Sequence, residues 1–277
     1  MNRILNVAIV SAIAVFFFVT AASATVIGSL NITSGGGLAT ATGTSISWGC
    51  DTTATAGQFI PAGFSCAQSQ VGGGTTLSST GGTPALNSDV FIKDFNLATP
   101  IPITNFMQIE NSTGTAIAIS VNLTGFGTLP GSNCSTTLFT TCVVFNGEPL
   151  QLQNTSSGVT ATLGVFGTAT DSSTNVSSFS GSFTTQLTTM STGITGTGAG
   201  GVLTNADIQA FFGCPSGATG PGSCNSTALA KTVASTHSGT FQATFAAVPE
   251  PQTTALVLGG LLVLLGRVGM RRVSRSR

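Results

Sequence analysis

The stretch Ile117-Ala118-Ile119-Ser120-Val121-Asn122-Leu123 indicates the fold class of this chain. Large aliphatic side chains occupy every second position, and small or polar side chains lie between them. This period of two is typical of a β-strand that buries one face and turns the other toward water. The same alternation recurs in residues 159–165, 179–185 and 241–245.

Weaker versions of the pattern predict further strands in residues 26–33, 44–48, 89–97, 106–111 and 143–145. Gly, Ser and Asn residues, which favour turns, separate many of these segments. Many short strands joined by such turns favour an all-β fold, and we expect an antiparallel β-sandwich.

One short helix is expected within this β-rich region. Thr204 can cap its N-terminus, and Asp207 lies three residues later, as in a capping box. Gly213 can end the helix. The apolar face that would pack on the sheet consists of Ile208, Phe211 and Phe212.

The charge of the central region limits its partners. Residues 25–248 contain two lysines and seven carboxylates, a net charge of −5, and all six arginines lie in the terminal segments. This surface lacks the basic patch that nucleic-acid binding requires, so no nucleic-acid partner is expected. Ser, Thr, Asn and Gly must supply solubility instead, which suits an extracellular surface. The length favours one domain or a loosely divided pair, with a substantial core.

The six cysteines form three couples that are close in sequence: Cys50 with Cys66, Cys134 with Cys142, and Cys214 with Cys224. An even number of cysteines in an exported chain indicates disulfides. Fifteen pairings are possible in principle, and we favour the three local ones because each couple brackets a loop rich in Gly, Ser, Thr or Pro. No Cys-x-x-Cys motif occurs and His237 is the only histidine, so no metal site is expected.

The N-terminus has the features of a secretory signal peptide. The basic start Met1-Asn2-Arg3 precedes an apolar segment at residues 7–19. Ala22-Ser23-Ala24 is a small-residue cleavage site, so residues 1–24 would be removed and the mature chain would begin at Thr25. An uncleaved N-terminal anchor is the alternative.

The C-terminal residues 248–277 combine a rigid turn, an apolar segment and a basic end. Pro249 and Pro251 fix the backbone and remove two hydrogen-bond donors, which holds Glu250 in an extended segment. The eighteen residues 253–270 would span about 27 Å as a helix, close to the roughly 30 Å of a membrane core. Positive charge beyond this helix favours the cytoplasmic side. The five arginines that supply it are Arg267, Arg271, Arg272, Arg275 and Arg277.

This tail resembles the PEP-CTERM sorting signal of exported bacterial proteins. The resemblance covers Val248, the Pro249-Glu250-Pro251 motif, the transmembrane segment and the arginines, and no other part of the chain. It implies processing by exosortase, a membrane-embedded cysteine protease, in or near the motif. It also implies a transient inner-membrane anchor and delivery to the cell surface or the exopolysaccharide matrix.

Three features of residues 25–247 could have indicated chemistry. Residues 196–201 match G-x-G-x-x-G, but no strand directly precedes them and no acidic residue follows at the required distance, so we expect a flexible loop and no cofactor. His237 has no nucleophile motif beside it, and we expect it to be solvated at a strand edge. Trp48 could stack on a sugar or, more often, pack against a disulfide.

The sequence therefore predicts an exported, non-catalytic protein of the bacterial cell envelope, associated with the exopolysaccharide matrix. The alternative is a lectin-like module that binds carbohydrate through Trp48 or exposed phenylalanines. A secreted hydrolase is a third hypothesis, although the acidic residues are scattered and no catalytic residue is identified.

Overall fold

A computed structural model of the chain describes residues 26–50, 59–79, 83–127, 133–172 and 176–244. The signal peptide with Ala22, Ala24 and Thr25, and the whole segment from Val248 to Arg277, lie outside the described residues. Within the described residues, no helix is long and apolar enough to cross a membrane.

Strands dominate the described part of the chain. The first seven are β1 (Gly28–Thr33), β2 (Ala39–Ala41), β3 (Ser45–Trp48), β4 (Ser69–Val71), β5 (Asp89–Ile92), β6 (Phe95–Asn96) and β7 (Ile103–Glu110). The other seven are β8 (Ile117–Phe126), β9 (Thr141–Val143), β10 (Leu150–Thr155), β11 (Gly158–Asp171), β12 (Val176–Leu187), β13 (Val233–Ser235) and β14 (Ser238–Thr244). The helices are α1 (Thr189–Thr192), α2 (Asn205–Phe211) and α3 (Ser226–Leu229), with single 3₁₀ turns at Ala199–Gly201 and Pro221–Ser223.

The main sheet closes on itself, so the all-β prediction is confirmed but the sandwich prediction is wrong. Its strand order is β12-β14-β1-β4-β5-β7-β8-β11, and β11 pairs again with β12. These eight antiparallel strands form a barrel. Half-buried strands of a sandwich and of a barrel show the same alternation of side chains, so the sequence pattern could not separate the two folds.

The long strand β11 makes the closure possible. One edge pairs with β12 along almost its full length, while the other edge is shared. Residues 165–171 pair with β8, and residues 158–163 pair with β10, which carries β9 outside the barrel. The register shifts between Phe166 and Gly167, where an added Cβ would lie 2.0 Å from the Asn122 carbonyl oxygen. Only glycine fits this close approach of two strands.

A second, four-stranded sheet has the order β13-β2-β3-β6. Trp48 of this sheet stacks on Phe183 of β12, with ring centroids 4.5 Å apart, and so belongs to the core of the barrel. Other fully buried members of that core are Leu30, Ile32, Phe106, Ile119 and Leu123. A second hydrophobic cluster joins β10–β12 to helix α2 and includes Leu152, Val159, Leu187, Ile208 and Phe212.

The predicted helix is confirmed as α2. The Thr204 side chain accepts a hydrogen bond from the Asp207 backbone, and the Asp207 carboxylate accepts one from the Thr204 backbone, which completes the capping box. Ile208 and Phe212 are buried and Phe211 is half-buried. Helices α1 and α3, of four residues each, were not predicted because neither carries an apolar stripe long enough to show a helical period.

Candidate functional site

A cavity of about 40 Å³ lies between the four-stranded sheet and strands β10–β12 of the main sheet. Helix α2 contributes Ile208 and Phe212 to its lining. The walls are otherwise almost wholly apolar, and three alanines leave the open space: Ala39, Ala41 and Ala161. The cavity therefore lies where the two hydrophobic clusters meet.

Two polar rings line this cavity and are almost completely buried. Trp48 is 6% exposed and His237 is 5% exposed. Their ring centroids are 4.9 Å apart in an edge-on arrangement. Trp48 Nε1, His237 Nδ1 and His237 Nε2 each have no hydrogen-bond partner among the described residues. Three unpaired buried nitrogens in one place are unusual, because most buried polar groups are hydrogen-bonded.

Burial also changes the charge state of His237. Removal from water lowers the pKa of the imidazole to about 4, because the apolar surroundings disfavour the charged form. His237 is therefore neutral at pH 7, with one ring nitrogen as a donor and the other as an acceptor.

The prediction that His237 is a solvated strand-edge residue is thus wrong. Val233 and Ser235 of β13 are buried and line the cavity, and His237 continues the same period of two toward the same side. The neighbouring Ser and Gly residues suggested a solvated strand edge, but the position of His237 relative to β13 directs its side chain to the cavity.

The position of Trp48 does not fit the alternative that it stacks on a sugar. Its indole contacts Phe183 and His237, and it has no exposed face on which a sugar could lie. The Trp48 backbone N–H donates to Asp94 Oδ1 at 2.8 Å, and Ser47 Oγ donates to Asp94 Oδ2 at 2.7 Å. Asp94 thereby holds the backbone at the end of β3.

The three predicted disulfides are confirmed. Cys50 pairs with Cys66, Cys134 with Cys142, and Cys214 with Cys224. The described part of the chain contains no free cysteine. Each bridge closes a local loop, and closing a loop of 15 residues contributes about 3 kcal/mol in the chain-entropy account.

Asn154 braces the loop closed by Cys134 and Cys142. Its side chain is 1% exposed and uses both ends. Its Nδ2 donates to the Ser135 and Thr137 carbonyl oxygens at 2.8 and 2.7 Å, and its Oδ1 accepts from the Asn205 backbone at 2.6 Å. Asn154 thus joins the disulfide loop to the start of helix α2.

Asp207 holds the glycine-rich segment at residues 196–201 against helix α2. Its carboxylate accepts hydrogen bonds from the backbone and hydroxyl of Thr197, at 3.0 and 2.7 Å, and from the backbone and hydroxyl of Thr204. Burial alone would raise the pKa of Asp207, but these hydrogen bonds outweigh it and hold the pKa below its ordinary value. The segment is therefore pinned by side-chain contacts, whereas the sequence predicted a flexible loop.

The sequence did not indicate that the carboxyl groups of Glu148 and Glu110 are buried. Glu148 is 6% exposed, and burial raises its pKa to about 8. Burial also raises the pKa of Glu110, and the nearby charge of Asp89 raises it further. The Val90–Ile109 register of β5 and β7 brings Asp89 and Glu110 near each other. Scattered acidic residues in a sequence do not reveal a pair such as Asp89 and Glu110, because only the pairing of β5 with β7 brings them together.

The described residues contain no group of three His, Cys, Asp or Glu side chains that could hold a metal ion. No protein-family model matches the chain, and no curated protein or solved structure is similar to it.

Proposed function

We propose that the chain is an exported, non-catalytic protein of the bacterial cell envelope. A signal peptide delivers it across the inner membrane, the C-terminal segment holds it there, and exosortase processes it at Pro249-Glu250-Pro251. The folded domain then acts at the surface or in the exopolysaccharide matrix.

The observation that carries this proposal is the pairing of all six cysteines into three local disulfides. Disulfides of this kind persist in oxidising compartments outside the cytoplasm. Each bridge closes within its own loop, so the domain can oxidise during export without long-range rearrangement.

The surface chemistry supports the same proposal. Strand β12 presents Ser178 and Ser180 on its exposed face, and Thr184 and Ser238 hydroxyls bond across β12 and β14 at 3.1 Å. Hydroxyl groups of this kind hydrogen-bond to water and to polysaccharide without adding charge.

The experiment compares the wild-type protein with a variant in which Pro249, Glu250 and Pro251 are all replaced by alanine. Both proteins are isolated from the producing host, and their intact masses and membrane fractions are measured. We expect the wild type to lose Arg277 and the variant to keep Arg277 and stay in the membrane, with three disulfides in both.

A matched control replaces Gln252, Thr253 and Thr254 by alanine, which changes three neighbouring residues but keeps the prolines. We expect this control to be processed like the wild type. If the wild type keeps Arg277, the C-terminal segment is a permanent anchor and the sorting proposal is wrong.

A further inference from the structure

The cavity between the two sheets has one polar end and one apolar end. At the polar end, Ala39 of β2 pairs with Trp48 on one side and with Ser235 on the other. Two residues further along β2, Ala41 lies between Ile46 and Val233. Trp48 and Ser235 therefore lie at the Ala39 end, and both residues paired with Ala41 are aliphatic.

The hydrogen-bonding capacity of the polar end is specific. Trp48 Nε1–H can only donate, so an occupant needs an acceptor atom. Neutral His237 offers one donor and one acceptor, so a hydroxyl oxygen could bond to both rings at once. Ser235 does not compete, because its hydroxyl donates to the Gln186 carbonyl oxygen at 3.2 Å.

Charge is disfavoured in this space. Among the described residues, His237 is the only titratable side chain that lines the cavity, and the other polar lining residues are Thr184, Thr185 and Ser235 in addition to Trp48. A charged occupant would be buried without a counter-charge, which is costly. The occupant should therefore be neutral.

Size and polarity distinguish a small organic molecule from water alone. A water molecule needs about 10–15 Å³ of such space and two to four polar partners. The 40 Å³ cavity has room for about three water-sized groups. Partners for water exist only at the Ala39 end, and an apolar space of this kind stays dry. A molecule with an oxygen at one end and two or three carbons behind it matches both ends.

We infer that this cavity is a binding site for a small uncharged molecule that carries a hydroxyl or carbonyl oxygen on a short apolar body. Trp48 and His237 bind the oxygen, and Ala39, Ala41 and Ala161 leave room for the carbons. This inference is independent of the sorting proposal, because it concerns only the folded domain.

The composition of the chain makes the test direct. Trp48 is the only tryptophan, there is no tyrosine, and His237 is the only histidine. The indole N–H signal in a ¹⁵N NMR spectrum and the tryptophan fluorescence therefore each report on this cavity alone. The full chain, with its disulfides formed, is titrated with ethanol as the neutral probe and with acetate as a charged probe of similar size.

We expect ethanol to shift the Trp48 indole signal saturably, with a Kd in about the millimolar range, since a ligand of about three heavy atoms cannot bind much more tightly. Acetate should leave the signal unchanged. Ala39→Val, which fills the polar end, should weaken ethanol binding about tenfold, equivalent to one lost hydrogen bond. Ala234→Val is the matched control, because Ala234 lies on the opposite face of β13 from its cavity-lining neighbours.

Several results would overturn the inference. One is a shift that grows linearly with ethanol, and another is equal binding by the wild type and Ala39→Val. A bound water at the indole N–H that ethanol does not displace would show a hydration site only. If Ala39→Val does not fold, Ala41→Val gives the same test from the apolar end of the cavity.

Discussion

Helix α2 lies beside two pairs of buried polar residues that differ in how fully their side chains are hydrogen-bonded. At its N-terminus, Asn154 and Asp207 use every polar side-chain atom in hydrogen bonds. On its inner face, Ile208 and Phe212 line the cavity, where three nitrogens of Trp48 and His237 have no partner in the described part of the chain. The same helix therefore lies between a pair whose polar side-chain atoms are all hydrogen-bonded and a pair whose ring nitrogens are not.

This difference shows what each pair contributes. A satisfied network fixes the positions of the groups that it joins, and here it holds the disulfide loop and the glycine-rich segment against α2. An unsatisfied pair fixes nothing in the protein, yet it costs free energy unless an occupant supplies the missing hydrogen bonds. The first pair is structural, and the second pair is available for binding.

The largest expected effect comes from breaking the satisfied pair with Asn154→Ala. This change leaves the Ser135 carbonyl oxygen and the Asn205 N–H without their partner, whereas the Thr137 carbonyl oxygen still accepts from Thr140 Oγ1. Each buried group left unpaired costs about 1–3 kcal/mol. Because the surrounding structure can relax in part, we expect the unfolding free energy to fall by about 4 kcal/mol. Denaturant unfolding with intact disulfides, followed by Trp48 fluorescence, measures the loss.

The control for this variant is Asn225→Ala, which removes an exposed cap of the four-residue helix α3. We expect that control to cost about 1 kcal/mol. Equal losses in the two variants would show that burial of Asn154 adds nothing, and the comparison drawn above would fail.

The satisfied pair was also the more predictable one. The Thr204–Asp207 spacing identified the capping box because both partners lie within one helical turn. The cysteine pairing and most strands could be predicted for the same reason, because loop closure and side-chain alternation are visible over short stretches of sequence. The bonds of Asn154 to residues 135 and 137 were not predicted, because they depend on how β10 lies against a separate loop.

The unsatisfied pair could not have been predicted. Trp48 and His237 are 189 positions apart in sequence, and the packing of the small sheet on the main sheet brings them together. The closure of the barrel is equally non-local, because it depends on β12 pairing with both β11 and β14. Side-chain alternation identified the strands but carried no information about the order in which they pair.

The second prediction concerns pH and compares the wild type with His237→Phe. The pKa of His237 is lowered from its ordinary value to about 4 in the folded protein. Between about pH 6.5 and pH 4 the unfolded chain binds a proton that the folded chain does not, so the wild type loses stability as the pH falls through this range. The shift corresponds to about 3 kcal/mol.

His237→Phe lacks this proton, so the difference in unfolding free energy between the two proteins should change by that amount over this range. Glu148, whose raised pKa makes stability fall as pH rises from about 4.5 toward 8, is present in both proteins and cancels. Parallel stability curves from pH 7 to pH 4 would mean that water reaches His237 in the folded state.

The smallest expected effect is that of His237→Phe at pH 7, and it is the sharpest contrast with Asn154→Ala. The substitution removes two unpaired nitrogens and keeps an aromatic ring against Trp48, with the adjoining 40 Å³ of space to accept the slightly larger side chain. Removal of an unsatisfied polar group in favour of an apolar one of similar shape is close to neutral or stabilising. We therefore expect the unfolding free energy to rise by up to about 1 kcal/mol, measured as for Asn154→Ala in the absence of added ligand.

The variant His237→Ala, by contrast, should lose about 2–3 kcal/mol of stability, because it enlarges the cavity. A loss of stability in His237→Phe as large as that in His237→Ala would mean that the imidazole has a hydrogen-bond partner in the folded protein, so that the two polar pairs beside α2 are alike after all.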